Sequence, residues 1–354
     1  MDTHTSYIQR FLLALIILLL LPLQPLMAST PMKWRGLMLD SGRQYQSITT
    51  IEAIIDSMAA RGMNTFHWHL TENDGWRMQL KCAPQLTSIG AFVAEGPEQQ
   101  GYYTRREMKH IVRYARKRGI TVVPEIDLPG HSAALIKAYP ELGCSHEVIC
   151  PANPKILPFL MQILDEVCHI FPSQFIHLGG DEVNHQAWHE CEACQRLMHE
   201  RDIADEASLQ VWFESQLVEH LAKHRRTAIL WEDVLYATQA PLPQNLIVQW
   251  WNYRSKAELG LREALRRNIP VIMSSNYYCY LNFPEEPWGG YGPERTCTAD
   301  DVRRNPSHRL YDATNPLMLG MEACLWTDYN LTESMLHQRL FPRLDILSHQ
   351  MLEP

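Results

Sequence analysis

The sequence lacks the excess of basic residues that nucleic-acid binding requires. Its 354 residues include 32 Lys and Arg against 40 Asp and Glu, which gives a formal net charge of −8. Contacts with phosphates need a surplus of positive charge, so this balance argues against a nucleic-acid partner. The chain also lacks the composition of a disordered protein, because 46% of its residues are hydrophobic and it contains 10 Trp and 14 Tyr. We therefore expect a folded chain with a substantial core.

Cysteine is scarce for a disulfide-built scaffold, with nine residues in the whole chain. The odd number leaves at least one thiol unpaired or paired with another molecule. The pairs to check first are Cys144–Cys150 and Cys279–Cys297. Cys191-x-x-Cys194 is interpreted as an isolated pair, either a small disulfide or free thiols, because a zinc ribbon needs a second such pair. No metal and no cofactor are expected.

Long hydrophobic runs are absent except near the N-terminus, where residues 11–21 are eleven consecutive apolar residues. Arg10 precedes this run, and Pro22, Pro25 and the small residue Ala28 follow it, which is the pattern of a secretory signal peptide over residues 1–28. The alternative is an uncleaved membrane anchor, but eleven helical residues reach about 17 Å and a bilayer core measures about 30 Å. We expect a secreted or periplasmic protein without stable membrane insertion after cleavage.

The rest of the chain alternates between short apolar segments and helical patterns, without a linker of low complexity. Capping boxes at Thr49-x-x-Glu52 and Thr104-x-x-Glu107 open two of the helices. Further helical patterns cover residues 155–170, 206–223, 255–267 and 333–347. Eight predicted strands, apolar on both faces and hence parallel, cover residues 34–40, 65–70, 120–126, 175–178, 228–231, 246–250, 271–274 and 317–325. This pattern predicts an α/β fold, a single (β/α)8 TIM barrel over residues 31–354.

Charged and aromatic residues are concentrated where the predicted strands end, which is where this fold carries its chemistry. One interpretation is metal-dependent hydrolysis, because His67-x-His69 places two imidazoles on the same face of a strand. The ends of the fifth and sixth strands, however, offer Trp rather than further His ligands. The alternative for these imidazoles is hydrogen bonding to nearby carboxylates.

The second interpretation is glycoside hydrolysis, which needs a carboxylic acid, a negative group and flat apolar surfaces for the sugar. The strand ends supply acid pairs, Trp residues, a Tyr cluster and an Arg. Asp181 and Glu182 are adjacent, so they are poorly placed to flank a glycosidic bond as acid and nucleophile about 5 Å apart. They can cooperate if the nucleophile belongs to the substrate.

Five segments follow one another along the chain: RGLMLDSGR at 35–43, FHWHL at 66–70 with Gly75-Trp76, EIDLPGH at 125–131, HLGGDE at 177–182 and EACLW at 322–326. Their order resembles the motif series of the β-N-acetylhexosaminidases of glycoside hydrolase family 20. The resemblance extends over nearly all of the chain after the signal, and the Gly-Gly-Asp-Glu segment is its most specific part.

The resemblance implies a retaining, substrate-assisted mechanism. Glu182 would be the general acid and base, and Asp181 would orient the 2-acetamido group and stabilise an oxazolinium intermediate. Tyr280 would hydrogen-bond the acetamido oxygen, and Asn282 matches the position beside it. Tyr277 and Tyr278 lie so close to Tyr280 that the register of this segment is an open alternative.

The resemblance also implies the walls of the pocket. These walls would be Trp231, Trp250 and Trp326, for which ordinary core packing is the alternative. Arg43, unless it only pairs with Asp40, would bind hydroxyls at the non-reducing end with the help of Asp328. His131 would lie near Glu182 and act through a carboxylate partner, with His69 and Glu72 as supporting residues.

The chain departs from the family pattern at several positions. Glu72 stands where Asp is usual, Asp328 where Glu is frequent, and Arg43-Gln44 replaces a common Arg-His pair. The α/β domain that usually precedes the barrel is not expected here. The implied function is an exo-acting enzyme that releases GlcNAc or GalNAc from a glycan. A catalytically impaired carbohydrate-binding barrel and, less favoured, a metal-dependent hydrolase are the alternatives.

Overall fold

The computed structural model describes residues 30–96, 99–237 and 240–354. The predicted signal peptide lies outside these residues. Among the helices of the described part, none has both the length and the apolar character needed to cross a membrane.

Eight parallel strands close into a barrel in which each strand pairs with its neighbours along the chain, and the last strand pairs with the first. A short antiparallel pair, in which Thr71–Glu72 pairs with Gly75–Trp76, is inserted after the second barrel strand. The strands are β1 (Trp34–Asp40), β2 (Thr65–His69), β3 (Thr71–Glu72), β4 (Gly75–Trp76), β5 (Thr121–Glu125), β6 (Phe175–His177), β7 (Thr227–Trp231), β8 (Leu246–Trp250), β9 (Val271–Met273) and β10 (Met318–Leu325). The predicted (β/α)8 barrel is confirmed, and each predicted strand differs from the observed one by at most one residue at either end.

Helices connect the strands. In the first of them, buried Ile51, Ile54, Ile55 and Met58 recur at helical spacing and form the face that joins the core. The α-helices are α1 (Ile48–Ala60), α2 (Gln85–Ser88), α3 (Arg105–Arg116), α4 (Ala133–Ala138), α5 (Ile156–Ile170), α6 (Gln186–His189), α7 (Glu192–Glu200), α8 (Glu206–Lys223), α9 (Tyr253–Lys256), α10 (Leu259–Arg266), α11 (Ala299–Arg303), α12 (Pro306–Leu310), α13 (Leu336–Leu340) and α14 (Arg343–Leu352). Short 3-10 turns lie at Gly90–Phe92, Pro140–Leu142, Glu232–Tyr236, Pro293–Arg295 and Glu333–Met335.

The two predicted capping boxes have different outcomes. The box at Thr104 is present. The Thr104 side chain accepts a hydrogen bond from the Glu107 N–H, and the Glu107 side chain accepts one from the Thr104 N–H. The box predicted at Thr49 is wrong, because helix α1 begins at Ile48, two residues earlier than an N-cap at Thr49 would place it. Ser47 is its extended N-cap residue and accepts a hydrogen bond from the Thr50 N–H at 3.2 Å.

Two predicted helices are interrupted. The pattern over 255–267 is divided between α9 and α10 at Ala257, whose φ of 49° lies in the left-handed region. The pattern over 333–347 is divided at Pro342, which has no N–H for the helical hydrogen bond and stands at the start of α14. Ala257 is not a residue type that marks a helix end in a sequence, whereas Pro342 is, and the predicted helix should have been divided there.

The barrel interior changes from apolar to ionic along the strands. Five residues from five different strands form a separate apolar cluster: Trp34, Val123, Ile229, Ile247 and Ile272. Side chains from strands around a closed barrel can meet only inside it, so this cluster fills part of the barrel interior. Closer to the C-terminal ends of the strands, the buried side chains are charged or polar: His67, His69, Glu125, His177, Gln249 and Glu322. This polar end of the barrel carries the site described next.

Candidate active site

A cavity of about 570 Å³ opens at the C-terminal ends of the barrel strands. This size lies within the range of small-molecule sites. It is lined by two adjacent carboxylates, several aromatic rings and a group of polar side chains: Arg43, Asp181, Glu182, Trp231, Trp251, Asn252, Arg254, Ser255, Asn276, Tyr280, Asn282, Phe283, Tyr291, Glu294, Arg295, Trp326 and Asp328.

Two glycines set the position of the adjacent carboxylates after β6. Gly179 and Gly180 have φ of 71° and 92°, which only glycine adopts without strain. They also pack tightly, since a Cβ at Gly179 would lie 1.8 Å from an Asp127 oxygen. The turn leaves the Asp181 side chain 13% exposed and that of Glu182 61% exposed. Two neighbouring carboxylates therefore occupy very different environments.

Burial dominates the electrostatics of Asp181. It raises the pKa of this carboxyl to about 7, against the opposing charge of His131, and the nearby Asp233 raises it further. Glu182 has a φ of 51°, which is uncommon for a residue other than glycine. Such a backbone conformation is held by its surroundings and is a frequent feature of functional sites.

His131 faces both carboxylates. Its Nε2 lies 3.7 Å from Asp181 Oδ2 and 3.7 Å from Glu182 Oε2, and its Nδ1 lies 2.8 Å from Glu72 Oε1. Burial disfavours the charged imidazole, but the carboxylates of Glu72, Asp127 and Asp181 outweigh burial and raise the pKa of His131 well above its usual value. The structure thus brings His131 to the predicted position, with Glu72 as its carboxylate partner.

Glu72 is a meeting point of three basic groups. Its Oε2 lies 3.1 Å from Arg43 Nη2 and 3.4 Å from His69 Nε2, in addition to the contact with His131. Burial alone would raise the pKa of Glu72, but the charges of Arg43 and His131 hold it well below the usual range. The extra methylene of Glu at this position therefore does not prevent the carboxylate from reaching His131.

A chain of alternating imidazoles and carboxylates continues from this point into the barrel. His69 Nδ1 hydrogen-bonds Glu125, whose carboxylate also lies 3.0 Å from His67 Nε2 and 3.0 Å from His177 Nδ1. His67 Nδ1 lies 2.7 Å from Glu322 Oε1. The interpretation of His67 and His69 as inward-facing groups hydrogen-bonded to carboxylates is therefore confirmed.

Arg43 and Asp328 also line the cavity. Arg43 contacts Asp40 at 2.9 Å, so the predicted pairing of these two residues is present. Arg43 does more than pair with Asp40, because its guanidinium lies 5.2 Å from the centre of the Trp326 ring and lines the cavity. Asp328 accepts hydrogen bonds from the Tyr291 hydroxyl and, at 3.3 Å, from Asn282 Nδ2. Burial raises the pKa of Asp328, whereas Tyr291 and Arg43 lower it.

Aromatic rings line the cavity around Trp326. Its ring centre lies 5.9 Å from that of Trp231 and 6.0 Å from that of Tyr280. The Trp231 indole N–H donates to Glu125 at 2.9 Å, which ties this ring to the buried ionic chain. Tyr280 follows Cys279, whose carbonyl accepts from the Cys324 N–H at 2.8 Å. This pairing with β10 fixes the register in favour of Tyr280, since Tyr277 and Tyr278 do not line the cavity.

Trp250 is the predicted wall residue that the structure does not place on the cavity. Its side chain is completely buried at the end of β8. The neighbouring Trp251 lines the cavity instead, with its indole N–H donating to Asp233 Oδ2 at 2.8 Å. Sequence reasoning also missed Phe283 and Tyr291, which lie in the long connection after β9, where no periodic pattern indicated their orientation.

The predicted cysteine pairs are not bonded in the structure. Cys279 and Cys297 are buried free thiols, and Cys144 and Cys150 are free thiols as well. Cys191 and Cys194 are free thiols, which is one of the two predicted alternatives, but they are not an isolated pair, because Cys144 and Cys150 pack against them.

Comparisons with known proteins agree on one family. The model of "Glycosyl hydrolase family 20, catalytic domain" matches residues 32–351. A curated relative, the beta-hexosaminidase of Porphyromonas gingivalis, is 35% identical over 335 residues, which cover 88% of this chain and 42% of that protein. The chain thus spans less than half the length of this relative.

Solved structures show the same similarity. The beta-N-acetylhexosaminidase from Bacteroides fragilis is 49% identical with a TM-score of 0.87, over 90% of this chain and 66% of that one. The GH20 exo beta-N-acetylglucosaminidase from Vibrio harveyi, solved with N-acetylglucosamine, is 29% identical with a TM-score of 0.82, over 91% of this chain and 54% of that one.

Proposed function

The chain belongs to glycosyl hydrolase family 20, and on that premise we propose that it is an exo-acting β-N-acetylhexosaminidase, releasing terminal non-reducing N-acetyl-β-D-hexosamine residues. The observation that carries the proposal is the contrast between the adjacent carboxylates of Asp181 and Glu182. The largely buried Asp181 suits a group that holds one substrate atom, whereas the exposed Glu182 suits a group that exchanges protons with a leaving oxygen and with water.

Their adjacency favours a nucleophile supplied by the substrate. Asp181 and Glu182 leave the same turn, so they approach a bound sugar from one side and do not flank the scissile bond. The acetamido oxygen attacks the anomeric carbon as the bond to the leaving oxygen breaks, and Glu182 donates its proton to that oxygen. The resulting oxazolinium is opened by water, which gives its proton to Glu182, and the configuration at the anomeric carbon is retained.

The surrounding groups have roles that fit this sequence of steps. The Asp181 carboxylate accepts the acetamido N–H and offsets the positive charge of the oxazolinium ring. Trp231 and Trp326 offer flat surfaces for the acetamido group and the sugar ring, and the Tyr280 hydroxyl reaches the acetamido oxygen. The guanidinium of Arg43 suits the hydroxyls at the non-reducing end.

The test is hydrolysis of chromogenic N-acetyl-β-D-glucosaminide and N-acetyl-β-D-galactosaminide by the full chain and by Glu182→Gln. Loss of a general acid is expected to lower kcat/KM by about 10²–10⁴-fold. The matched control is Glu219→Gln, an exposed glutamate on the outer side of α8, which should retain activity. Absence of turnover together with retained sugar binding would make the impaired carbohydrate-binding barrel the better interpretation. Loss of turnover with a chelator, together with unchanged turnover in Glu182→Gln, would favour a metal-dependent hydrolase.

The mechanism has its own test. Asp181→Asn is expected to reduce kcat severely, and added azide should not restore activity because no protein nucleophile has been removed. Proton NMR of the wild-type reaction should detect the β-anomer as the first product. Isolation of a covalent sugar–protein adduct would contradict the substrate-assisted route while leaving the glycosidase activity in place.

We also propose that the chain is exported, on the basis of the signal-like pattern of residues 1–28. Cells that express the full chain should contain it in the periplasm or medium, with an N-terminus that begins after residue 28. A membrane-bound product with an intact N-terminus would favour the anchor alternative.

A further inference from the structure

Four cysteines from two active-site loops meet outside the cavity. Cys144 and Cys150 lie in the connection between β5 and α5, and Cys191 and Cys194 lie at the start of α7, in the connection that follows β6. We refer to these four residues as the four-cysteine cluster. The same two connections carry His131 and the Asp181–Glu182 pair.

The spacing of the sulfurs is that of a tetrahedral metal site. The Sγ of Cys194 lies 3.4 Å from that of Cys144 and 3.7 Å from that of Cys150, and the Cys150–Cys191 distance is 4.0 Å. All four sulfurs lie within 4.8 Å of one another. Zinc–sulfur bonds of about 2.3 Å in a tetrahedron place neighbouring sulfurs about 3.8 Å apart.

Other arrangements fit these distances less well. A disulfide joins two sulfurs at about 2.05 Å and excludes a third, whereas Cys150 and Cys194 each lie close to two partners. An iron–sulfur cluster also takes four thiolates. Its inorganic core stands between them and would hold them farther apart than the observed compact group. A single ion at the centre accounts for all four positions.

The backbone on each side is shaped to present the sulfurs. Residues Gly143 and Ile149 form an antiparallel bridge, and the Cys144 N–H donates to the Val148 carbonyl at 2.9 Å, which brings Cys144 and Cys150 to the same side of a tight hairpin. Cys191 is the extended N-cap residue of α7 and makes no side-chain capping bond. A thiolate at this helix terminus is favoured by the macrodipole.

The surroundings of the cluster are apolar. Val148, Trp188, Met198 and Leu209 are buried against the sulfurs and form a hydrophobic cluster separate from the main core. The Trp188 indole N–H donates to the Ile149 carbonyl at 2.8 Å and so connects the two loops beside the sulfurs. Dry surroundings strengthen metal–thiolate bonds and exclude competing water.

We propose that the four-cysteine cluster binds one Zn²⁺ ion as a structural site that ties the two active-site loops together. Four thiolates fill the coordination sphere of zinc and leave no position for substrate, so the ion has no direct part in the reaction. The hairpin is joined to the His131 segment by the Ser132 N–H, which donates to the Glu147 carbonyl at 3.0 Å. The ion therefore acts on catalysis only by positioning His131 relative to Asp181 and Glu182.

The experiment measures zinc directly in the full chain, expressed and purified with a reductant and without chelator. Elemental analysis is expected to give one zinc per chain, and a mercurial reagent should release that zinc as the thiols react. Cobalt substituted for zinc should give the near-ultraviolet charge-transfer bands of thiolate ligands. The double variant Cys191→Ser, Cys194→Ser should lose the zinc. The matched control is Cys82→Ser, an exposed cysteine outside the cluster, which should keep it.

Several results would overturn the proposal. The first is a zinc content near zero in the wild type that was purified with reductant and then supplied with zinc. The second is an equal zinc content in the double variant and in the control, and the third is stoichiometric iron. The fourth is the detection by mass spectrometry of disulfides within the cluster of the exported protein. If the double variant does not fold, the mercurial release and the cobalt spectrum of the wild type decide the matter. Neither depends on hydrolase activity, so failure of this proposal is distinguishable from failure of the proposed function.

Discussion

Replacement of Glu72 by Gln tests how the ionic end of the barrel holds the active-site imidazole. The Glu72 side chain is 2% exposed and contacts His131 at 2.8 Å, Arg43 at 3.1 Å and His69 at 3.4 Å. Gln retains the shape but removes the charge. Three basic groups then lose a shared counter-charge, of which His69 is fully buried and Arg43 and His131 are largely buried, and this is the costly way to alter a buried ion pair.

The magnitude follows from the burial of this contact. Removing one partner of a buried pair costs about 3–5 kcal/mol. A chain with roughly 320 ordered residues has an unfolding entropy of about 0.7 kcal/mol/K, so Tm should fall by about 4–7 °C. The pKa of His131 should also fall, because Glu72 is the largest of the charges that raise it.

The loss of stability should depend on pH with a definite sign. The depressed pKa of Glu72 provides stability that is present above its unfolded pKa of about 4.5 and is lost as the pH falls through the folded pKa. The raised pKa of His131 provides stability that is present below about 6.5 and is lost as the pH rises through its folded pKa. The difference in Tm between wild type and Glu72→Gln should therefore be largest between about pH 4.5 and 6.5. This difference in Tm should become smaller in strongly acidic and in strongly basic solution.

The assay is thermal unfolding of both proteins across this pH range, together with pH profiles of kcat/KM. Glu258→Gln is the control, because Glu258 pairs with Arg262 at an exposed position and such a pair contributes about 0–1 kcal/mol. Glu72→Asp keeps the charge and should recover most of the stability. The reasoning is refuted if Glu72→Gln and Glu258→Gln lower Tm equally. It is also refuted if the difference in Tm between wild type and Glu72→Gln does not change with pH.

Three further predictions concern the cavity. Burial raises the pKa of Asp181, so ionisation of this carboxyl destabilises the folded state at any pH above the pKa of the unfolded chain. Asp181→Asn should therefore unfold at a higher temperature than wild type at about pH 8, and this gain in Tm should vanish near pH 4. Gly179→Ala should give a protein destabilised by about 2 kcal/mol or more in denaturant titrations, because its Cβ would meet Asp127 and its φ of 71° is strained for alanine. Tyr291→Phe removes a hydrogen bond to Asp328 and should raise KM more than it lowers kcat, which steady-state kinetics would measure.

The barrel was predictable from sequence because its signals are local. Segments such as Trp34–Asp40 and Leu246–Trp250 are short, apolar and separated by helices, which is the pattern of parallel strands buried on both faces. The carboxylates after β6 were predictable for a related reason, since they follow an apolar strand directly and belong to the Gly-Gly-Asp-Glu segment. Both inferences depend on residues that are adjacent in the chain.

The remaining parts of the site depend on contacts between distant segments. Whether Trp250 or Trp251 lines the cavity depends on how the end of β8 packs beside the turn that carries Asp233. The sequence does not reveal that packing. The meeting of the hairpin cysteines with Cys191 and Cys194 is likewise set by two loops separated by a helix. In both cases the residue types are evident in the sequence, whereas the packing that gives them a role arises only in the folded chain.

The buried chain of imidazoles and carboxylates is better explained by positioning than by stability. Apolar residues of similar volume would serve the fold as well or better than buried ion pairs. Each imidazole along the chain is instead oriented by the carboxylates on either side, and the last one, His131, faces Asp181 and Glu182.

If positioning is the role, the effect on activity should decrease with distance from His131. Glu322→Gln alters the far end, where Glu322 contacts His67 at 2.7 Å and the Trp34 indole at 2.7 Å. Glu72→Gln alters the end next to His131. We expect both variants to lose stability, but the kcat/KM of Glu322→Gln should remain nearer to that of wild type. Equal losses of kcat/KM at equal loss of Tm would instead mean that the chain acts only through the stability of the barrel as a whole.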